Sequence, residues 1–328
     1  MNTIILFLII FSLSWILTYA VKEIAIKKVL VDIPNDRSSH TIPTPHGGGI
    51  AIALTWFASI GYLYSVDQVD SGLFYALMVG VVIAVVSYLD DLYELKPRTR
   101  FLTQLFTAGA GLWFLGGLKM LDFGLLTIEN PIITNTIAIV AIIWFVNLYN
   151  FLDGIDGYAG SEAVFIGVVG YLLFGDAQFV VLIASVLGFL IWNWHKAKIF
   201  MGDVGSTLLG YNVAIFAIYY QNEGTSILVW LILFGLFWFD ATLTLYRRYK
   251  NKEQLSEAHK KHVYQRLTQS GWSHSKVVIY SMVANTILFL FAWLAMGYPS
   301  LGLVWFGVSV VFLYFLIRVV DAKKAFQI

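Results

Sequence analysis

Apolar residues run in blocks of roughly 20 along almost the whole chain, the length a helix needs to cross a bilayer core. The blocks predict eleven membrane-spanning helices at approximately 3–21, 48–66, 72–89, 101–117, 134–150, 159–174, 178–194, 206–221, 226–246, 277–296 and 300–318. Links such as Gly175-Asp176 and Asn222-Glu223-Gly224 are so short that they join antiparallel neighbours. No internal repeat or low-complexity tract interrupts the pattern. The expected fold is therefore one all-α, polytopic integral membrane domain over 1–328, with a single long loop at 246–276.

Composition agrees. Apolar residues make up 59% of the 328 residues and charged residues only 12%, about half the charged share of a soluble domain. Cysteine is absent, which excludes disulfides, thiolate metal sites and cysteine nucleophiles. The first twenty residues lack a basic start, and Lys22, Lys27 and Lys28 follow them, which suits a retained first span rather than a cleaved signal.

Charge distribution sets the orientation. With the N-terminus outside (periplasmic) and the C-terminus in the cytoplasm, 20 of the 21 Lys+Arg fall on inner segments and only Lys119 falls outside. The outer links are mostly short and plain. The inner loops are longer and chemically specialised, so function is expected on the cytoplasmic face.

The richest stretch is Asn147-Leu-Tyr-Asn150-Phe-Leu-Asp153-Gly-Ile-Asp156-Gly157, where an apolar helix ends in two carboxamides and two carboxylates among glycines. Helix caps do not need two carboxamides one turn inside a span, and unpartnered polar groups in a bilayer are costly. The first inner loop holds Arg37, His40 and Pro45-His46-Gly47-Gly48-Gly49. Its glycines suit either anion binding at a helix start or close helix packing, and the packing reading has the edge. Asp90 and Asp91 end the third span, with Lys96 and Arg100 nearby. Neighbours on a helix point about 100° apart, so these two carboxylates are expected to serve different partners.

The fourth inner loop runs Asn193-Trp-His195-Lys196-Ala-Lys198-Ile-Phe200-Met-Gly202-Asp203-Val-Gly205-Ser206, with Ser206 able to cap the next helix. In the long loop, His259, His262 and Arg266 share one face if the segment is helical, presenting donors to an anion or resting on lipid headgroups. Asp240 lies inside the ninth span as a functional candidate or the partner of Arg247. Five aspartates (Asp90, Asp91, Asp153, Asp156 and Asp203) together with basic groups on one side suit phosphoryl chemistry around a hard divalent cation, Mg²⁺ above all.

Taken together, Arg37-Ser-Ser-His40 with Pro45-His-Gly-Gly48, Asp90-Asp91, Asn147-x-x-Asn150-Phe-x-Asp153-Gly-x-Asp156-Gly, Phe200-Met-Gly-Asp203-x-Gly-Ser206 and the histidine loop resemble the polyprenyl-phosphate N-acetylhexosamine-1-phosphate transferases, the MraY/WecA-like membrane enzymes. The resemblance covers nearly the whole chain. It implies transfer of an N-acetylaminosugar-1-phosphate from a UDP-sugar to undecaprenyl phosphate, with UMP released, as the first membrane step of a cell-envelope polysaccharide. It implies Mg²⁺, with Mn²⁺ as the alternative ion, held by Asp203 and Asp153, and catalytic roles for Asp90 and Asp91 beside them. Asp156, Asn193, Phe200 and Asn150 would form the nucleotide pocket, with Phe200 stacked on uracil. Arg37, His40, Lys96, Arg100, His259, His262 and Arg266 would hold phosphates and sugar. The partners implied are the UDP-N-acetylaminosugar, undecaprenyl phosphate and membrane lipids, with no nucleic acid; a homodimer is left open. Members acting on the muramyl-pentapeptide nucleotide carry three consecutive histidines, whereas this chain reads His259-Lys-Lys-His262, closer to members that initiate O-antigen or other surface polysaccharides.

Two rivals rank lower. The CDP-alcohol phosphotransferases expect an arginine soon after the first Asp-Gly, and Asp153-Gly154 is followed by none. A sugar-lipid transporter expects ionisable residues through several helix centres, and only Asp240 approaches that.

Overall fold

The structure, a computed structural model, describes residues 2–28, 30–34, 42–124, 126–255, 257 and 259–326. Helices dominate: α1 (Thr3–Lys27), α2 (Gly49–Ser65), α3 (Ser71–Tyr93), α4 (Pro97–Phe114), α5 (Pro131–Phe151), α6 (Tyr158–Phe174), α7 (Ala177–Asn193), α8 (Asp203–Asn222), α9 (Ile227–Leu233), α10 (Gly235–Lys250), α11 (Val263–Gln269), α12 (His274–Gly297) and α13 (Gly302–Lys323). Two antiparallel pairs of two-residue strands complete it: β1 (Val31–Asp32) with β2 (Thr44–Pro45), and β3 (Leu121–Asp122) with β4 (Thr127–Ile128).

Helix starts follow local chemistry. Asn130 Oδ1 accepts from the amides of Ile132 and Ile133 while Pro131 fills the first position of α5, where a missing N–H costs nothing. Asp70 caps α3 through the Leu73 amide (3.1 Å). Gly157 enters α6 at φ +74°, a conformation that glycine adopts without strain.

Each of the eleven predicted apolar runs falls on helix, with α9 and α10 sharing the ninth and bending by 79° between them. Among the described residues, length and apolarity alone qualify five helices as membrane spans, or six if the bent pair is one, which makes this a multi-pass helical membrane protein. The shorter count has a physical reason. α2, α6 and α7 have only 17 residues, α4 opens on Arg98 and Arg100, and α8 carries Asp203, Asn212, Gln221 and Asn222. Every residue of α8 from Val204 to Ile218 is buried, against α5, α3 and α2. A helix wrapped in protein needs little hydrophobicity, because it does not face lipid.

The other expectations meet mixed outcomes. Gly48 and Gly49 amides donate to Phe200 O (2.9 Å) and Met201 O (2.8 Å), so these glycines serve close packing of α2 on the start of α8. Helix α8 starts at Asp203, not Ser206, and Ser206 Oγ instead accepts from Asn150 Nδ2 (3.0 Å). Asp240 is not the partner of Arg247. It accepts from Val263 N–H (2.9 Å) and Thr244 Oγ1 (3.0 Å), anchoring α11, while Arg247 forms a bidentate pair with Asp321 (2.9 and 2.8 Å).

Candidate active site

Two cavities open at one end of the bundle, where α3 and α5 end and α2, α6 and α8 begin. The larger, about 670 Å³, is lined by His46, Asp91, Asn150, Asp153, Asp156, Phe200 and Asp203 among others. The smaller, about 310 Å³, lies between α3, α4, α5 and α8 and is lined by Asp90, Arg100, Gln104, Asn147, Asn150 and Asp203. Asn150 and Asp203 border both cavities, so the two meet there. The adjacent carboxylates line different cavities: Asp91 faces the larger and Asp90 the smaller.

The walls of both cavities are built from distant segments. Phe200 N–H donates to Pro45 O (2.8 Å), so the Pro45–Gly49 loop and the Phe200–Asp203 loop are bonded edge to edge. A Cβ on Gly49 would sit 2.2 Å from Gly205 N, and one on Gly202 would sit 3.1 Å from Asp91 Oδ2. Asn150 Nδ2 donates to Asp203 Oδ1 (2.8 Å) and so aims that carboxylate. Asp90 Oδ1 accepts from Leu95 N–H (2.7 Å), and its Oδ2 lies 3.2 Å from the half-exposed Arg100 guanidinium. Asn147 and Gln104 exchange two side-chain hydrogen bonds beside them (2.7 and 3.3 Å).

Electrostatics separates the two aspartates of the Asp153–Asp156 turn. Burial, then the charges of Asp203 and Asp156, push the Asp153 carboxyl up to about 7. Burial also opposes ionisation of Asp156, but hydrogen bonds from His274 and His195 outweigh it and hold that carboxyl below its ordinary range. His195 Nδ1 lies 2.7 Å and His274 Nδ1 3.1 Å from Asp156 Oδ2, and Ala197 N–H donates to the same oxygen (3.3 Å). These three side chains are also the one group of metal-ligating type that clusters tightly among the described residues. His195 and Asp156 satisfy one another, and His274 Nδ1 also accepts from the Asp156 N–H (3.3 Å).

Oxygen donors of the kind a hard cation takes line the same cavity. Asp91 Oδ2 is buried with no hydrogen-bond partner, in the cavity that also holds Asp153 and Asp203. Carboxylate oxygens are the donor chemistry that Mg²⁺ takes, and these three are set wider apart than the Asp156 group.

The remaining predicted residues divide. Phe200 lines the larger cavity. Asn193 lines it too, but Gly157 N–H donates to its Oδ1 (2.9 Å) and its Nδ2 donates to Ile199 O (2.9 Å), so both ends of its amide hold backbone in place. Lys96 caps α4 on the exposed surface and lines neither cavity. Arg37 and His40 lie outside the described residues. His259, His262 and Arg266 do not share a helical face, because α11 begins only at Val263. None of the three lines either cavity. Arg266 is buried against Asp321 (2.6 Å). His262 lies 3.5 Å from Asp240. Burial, then the neighbouring His262, pulls His259 down to about 4, so it is neutral at pH 7 and offers no charge to a phosphate. Acidic partners on α10 and α13 captured groups that the spacing alone offered to a ligand.

Gln265 and His274 line the larger cavity and sequence reasoning passed over both. The available signal was weak: His274 is simply the first residue of α12, after a Ser273 cap.

The comparisons fit this geometry. The profile of glycosyl transferase family 4 matches residues 73–221, which span α3 to α8. The chain is 32% identical, over 94% of its length and 88% of the relative's, to a probable undecaprenyl-phosphate N-acetylglucosaminyl 1-phosphate transferase of Bacillus subtilis (strain 168). It is 31% identical to a decaprenyl-phosphate N-acetylglucosaminephosphotransferase of Mycobacterium leprae (strain TN), covering 81% of this chain and 77% of that one. An undecaprenyl-phosphate alpha-N-acetylglucosaminyl 1-phosphate transferase of Thermotoga maritima is 28% identical over 84% and 86% of the two chains. With paired cavities meeting at Asn150 and Asp203, and likeness at this level running nearly end to end, the chain belongs to the polyprenyl-phosphate N-acetylhexosamine-1-phosphate transferase family.

Proposed function

We propose that this protein transfers N-acetylglucosamine-1-phosphate from UDP-N-acetylglucosamine to undecaprenyl phosphate, releasing UMP, as the first membrane step of a cell-envelope polysaccharide. The observation that carries the reading is the pair of cavities sharing Asp203 and Asn150. A two-substrate phosphoryl transfer needs donor and acceptor to meet at one point from two directions. The larger cavity suits the nucleotide-sugar, with Phe200 offering a face to the base and Asp156 a fixed acceptor. The smaller suits the lipid phosphate, with Arg100 to bind it. The relatives' names supply the acceptor and the sugar.

In the reaction an acceptor phosphate oxygen forms a bond to the β-phosphorus of the donor, and the bond from that phosphorus to the bridging oxygen of UMP breaks. The chain's part is placement. Asn150 fixes Asp203, Leu95 N–H fixes Asp90, and Arg100 binds the incoming phosphate while Asp90 orients Arg100. Asp91, Asp153 and Asp203 would hold Mg²⁺, or Mn²⁺ in its place. A cation there supplies neutralisation of the diphosphate charge.

Eleven crossings, the N-terminus outside and the site on the cytoplasmic face of the inner membrane complete the reading, supported by the placement of basic residues. The decisive experiment is purified protein with Mg²⁺, undecaprenyl phosphate and a panel of UDP-aminosugars. UMP release with the N-acetylglucosamine donor is expected; UDP release instead would mean ordinary glycosyl transfer and defeat the proposal.

Two predictions belong here. Because Asp153 titrates near 7 when no cation is bound, Mg²⁺ must displace a proton at lower pH. Affinity is expected to rise by at least about tenfold per unit up to about pH 7 and then level. The sign for stability follows: a raised carboxyl pKa gives stability that is present at low pH and lost as pH rises through about 7. Mg²⁺ should therefore raise the melting temperature more at pH 8 than at pH 6, and an equal shift at both would contradict the assignment. Second, His274→Ala releases one side of the Asp156 carboxylate. The donor KM is expected to rise roughly 10- to 100-fold, the worth of a charged hydrogen bond, with kcat changing much less. His274→Asn should recover part of it. An unchanged KM in His274→Ala would remove Asp156 orientation from the nucleotide pocket.

A further inference from the structure

A third cavity, about 370 Å³, lies away from the first two, between α10, α12 and α13 and under α11. Its walls are mostly apolar, including Leu236, Phe239, Val277, Ala284, Leu316 and Val320, with Asp240, Ser281, Lys276 and Lys323 as the polar exceptions apart from tyrosine hydroxyls. At its mouth Lys276 and Lys323 both stand over the Trp272 ring, with their ammonium groups 4.3 and 4.7 Å from its centroid. Both lysines are exposed, and neither meets a carboxylate among the described residues. Acids on the adjoining elements are engaged elsewhere: Asp321 with Arg247 and Arg266, and Asp240, which also lines the groove, with Val263 N–H and Thr244.

Two like charges gathered on one indole repel each other unless an anion joins them, and an apolar slot opening beside them in a helix bundle accepts a hydrocarbon chain. Indole, basic pair and slot are the chemistry that selects an anionic headgroup over a zwitterionic one. We propose that this groove binds one anionic phospholipid, with its acyl chain between α12 and α13 and its phosphate between Lys276 and Lys323. The site requires only that α12 and α13 lie in the bilayer, so it stands apart from the transferase reading.

The bound lipid would also brace α11. Tyr264 and Leu267 form the groove's roof, and Tyr264 Oη donates to Phe151 O (3.1 Å) directly behind the Asp153 turn. Gln265, on the next position, lines the larger cavity. A filled groove therefore supports a helix that also walls the active site.

The test uses the full-length protein in detergent, titrated with phosphatidylglycerol or phosphatidylcholine of the same acyl chains and read by native mass spectrometry and melting temperature. Wild type is expected to retain one phosphatidylglycerol at concentrations where phosphatidylcholine is lost, and to melt higher with it. The K276A/K323A double variant should weaken phosphatidylglycerol roughly 10- to 30-fold and leave phosphatidylcholine unchanged. Ala284→Phe, which fills the slot, should displace the lipid with both lysines intact. Equal retention of the two lipids by wild type, or undiminished phosphatidylglycerol binding in the double variant, would overturn the proposal. Inorganic phosphate reproducing the full thermal shift would overturn the acyl-chain half, and undecaprenyl phosphate outcompeting phosphatidylglycerol at Lys276 and Lys323 would overturn the choice of occupant.

Discussion

Asp203→Asn is expected to lower UMP release by at least about 1,000-fold while the protein inserts, purifies and melts almost as wild type. Asp203 is the first residue of α8, borders both cavities and has its carboxylate aimed by Asn150. Asparagine keeps an oxygen for the Asn150 amide to donate to, so the local hydrogen bond survives. What disappears is one negative charge among Asp91, Asp153 and Asp203, and with it the ability to hold a divalent cation against a diphosphate. The loss of a carboxylate at the helix start costs only about 0.3–1 kcal/mol of stability. Mg²⁺-dependent thermal stabilisation should vanish in the same variant. Turnover within tenfold of wild type would show that Asp203 neither binds the cation nor faces the reacting phosphates.

The second large effect is on folding. A Cβ on Gly49 would meet Gly205 N at 2.2 Å and Gly205 Cα at 2.5 Å, and both are backbone atoms that have no rotamer to yield. Gly49→Val must push α2 away from α8 and stretch the bonds from Gly48, Gly49 and Phe200 that join their leading loops. Each such bond contributes about 1 kcal/mol net, and overpacking adds about 1–3 kcal/mol. A loss of about 4 kcal/mol or more is expected, enough to leave little folded protein on size-exclusion chromatography. Gly61 in the same helix is the control. Nothing lies within 4 Å of its Cβ position, so Gly61→Ala should be neutral or stabilise by up to about 1 kcal/mol. A Gly49→Val protein melting as wild type would mean that α2 and α8 do not approach as described.

These two positions show what could be read from the chain in one dimension. Asp203 was legible as one of five aspartates gathered with basic groups on the inner side, and through the family resemblance as a metal ligand. The divergence of Asp90 and Asp91 followed from helix geometry, and in the fold the two line different cavities. Gly49 was legible only as one of three glycines serving either an anion or a close contact; its neighbour Gly205 lies more than 150 positions away. Arg266 and His262 misled for the same reason. Their spacing invited a shared cationic face, while Asp321 and Asp240, distant in sequence, are the groups they meet. Helix α8 was legible as a helix although it is not counted as a span by length and apolarity, since hydropathy reports contact with lipid and α8 contacts protein.

The sequence by itself determined the class of fold and the chemistry at hand. Runs of apolar residues set where helices form, lopsided basic residues favour one orientation, and aspartates at helix mouths mark phosphoryl chemistry, because each of these depends on neighbours within a turn or two. The tertiary structure alone decided which charges remain free for substrate. Asn150 finds Asp203, His195 and His274 close on Asp156, and Asp321 takes Arg247 and Arg266, all across separations of 39 residues or more. The physical reason is that a charge offers the same attraction to every opposite partner, and only packing brings one of them within 3 Å.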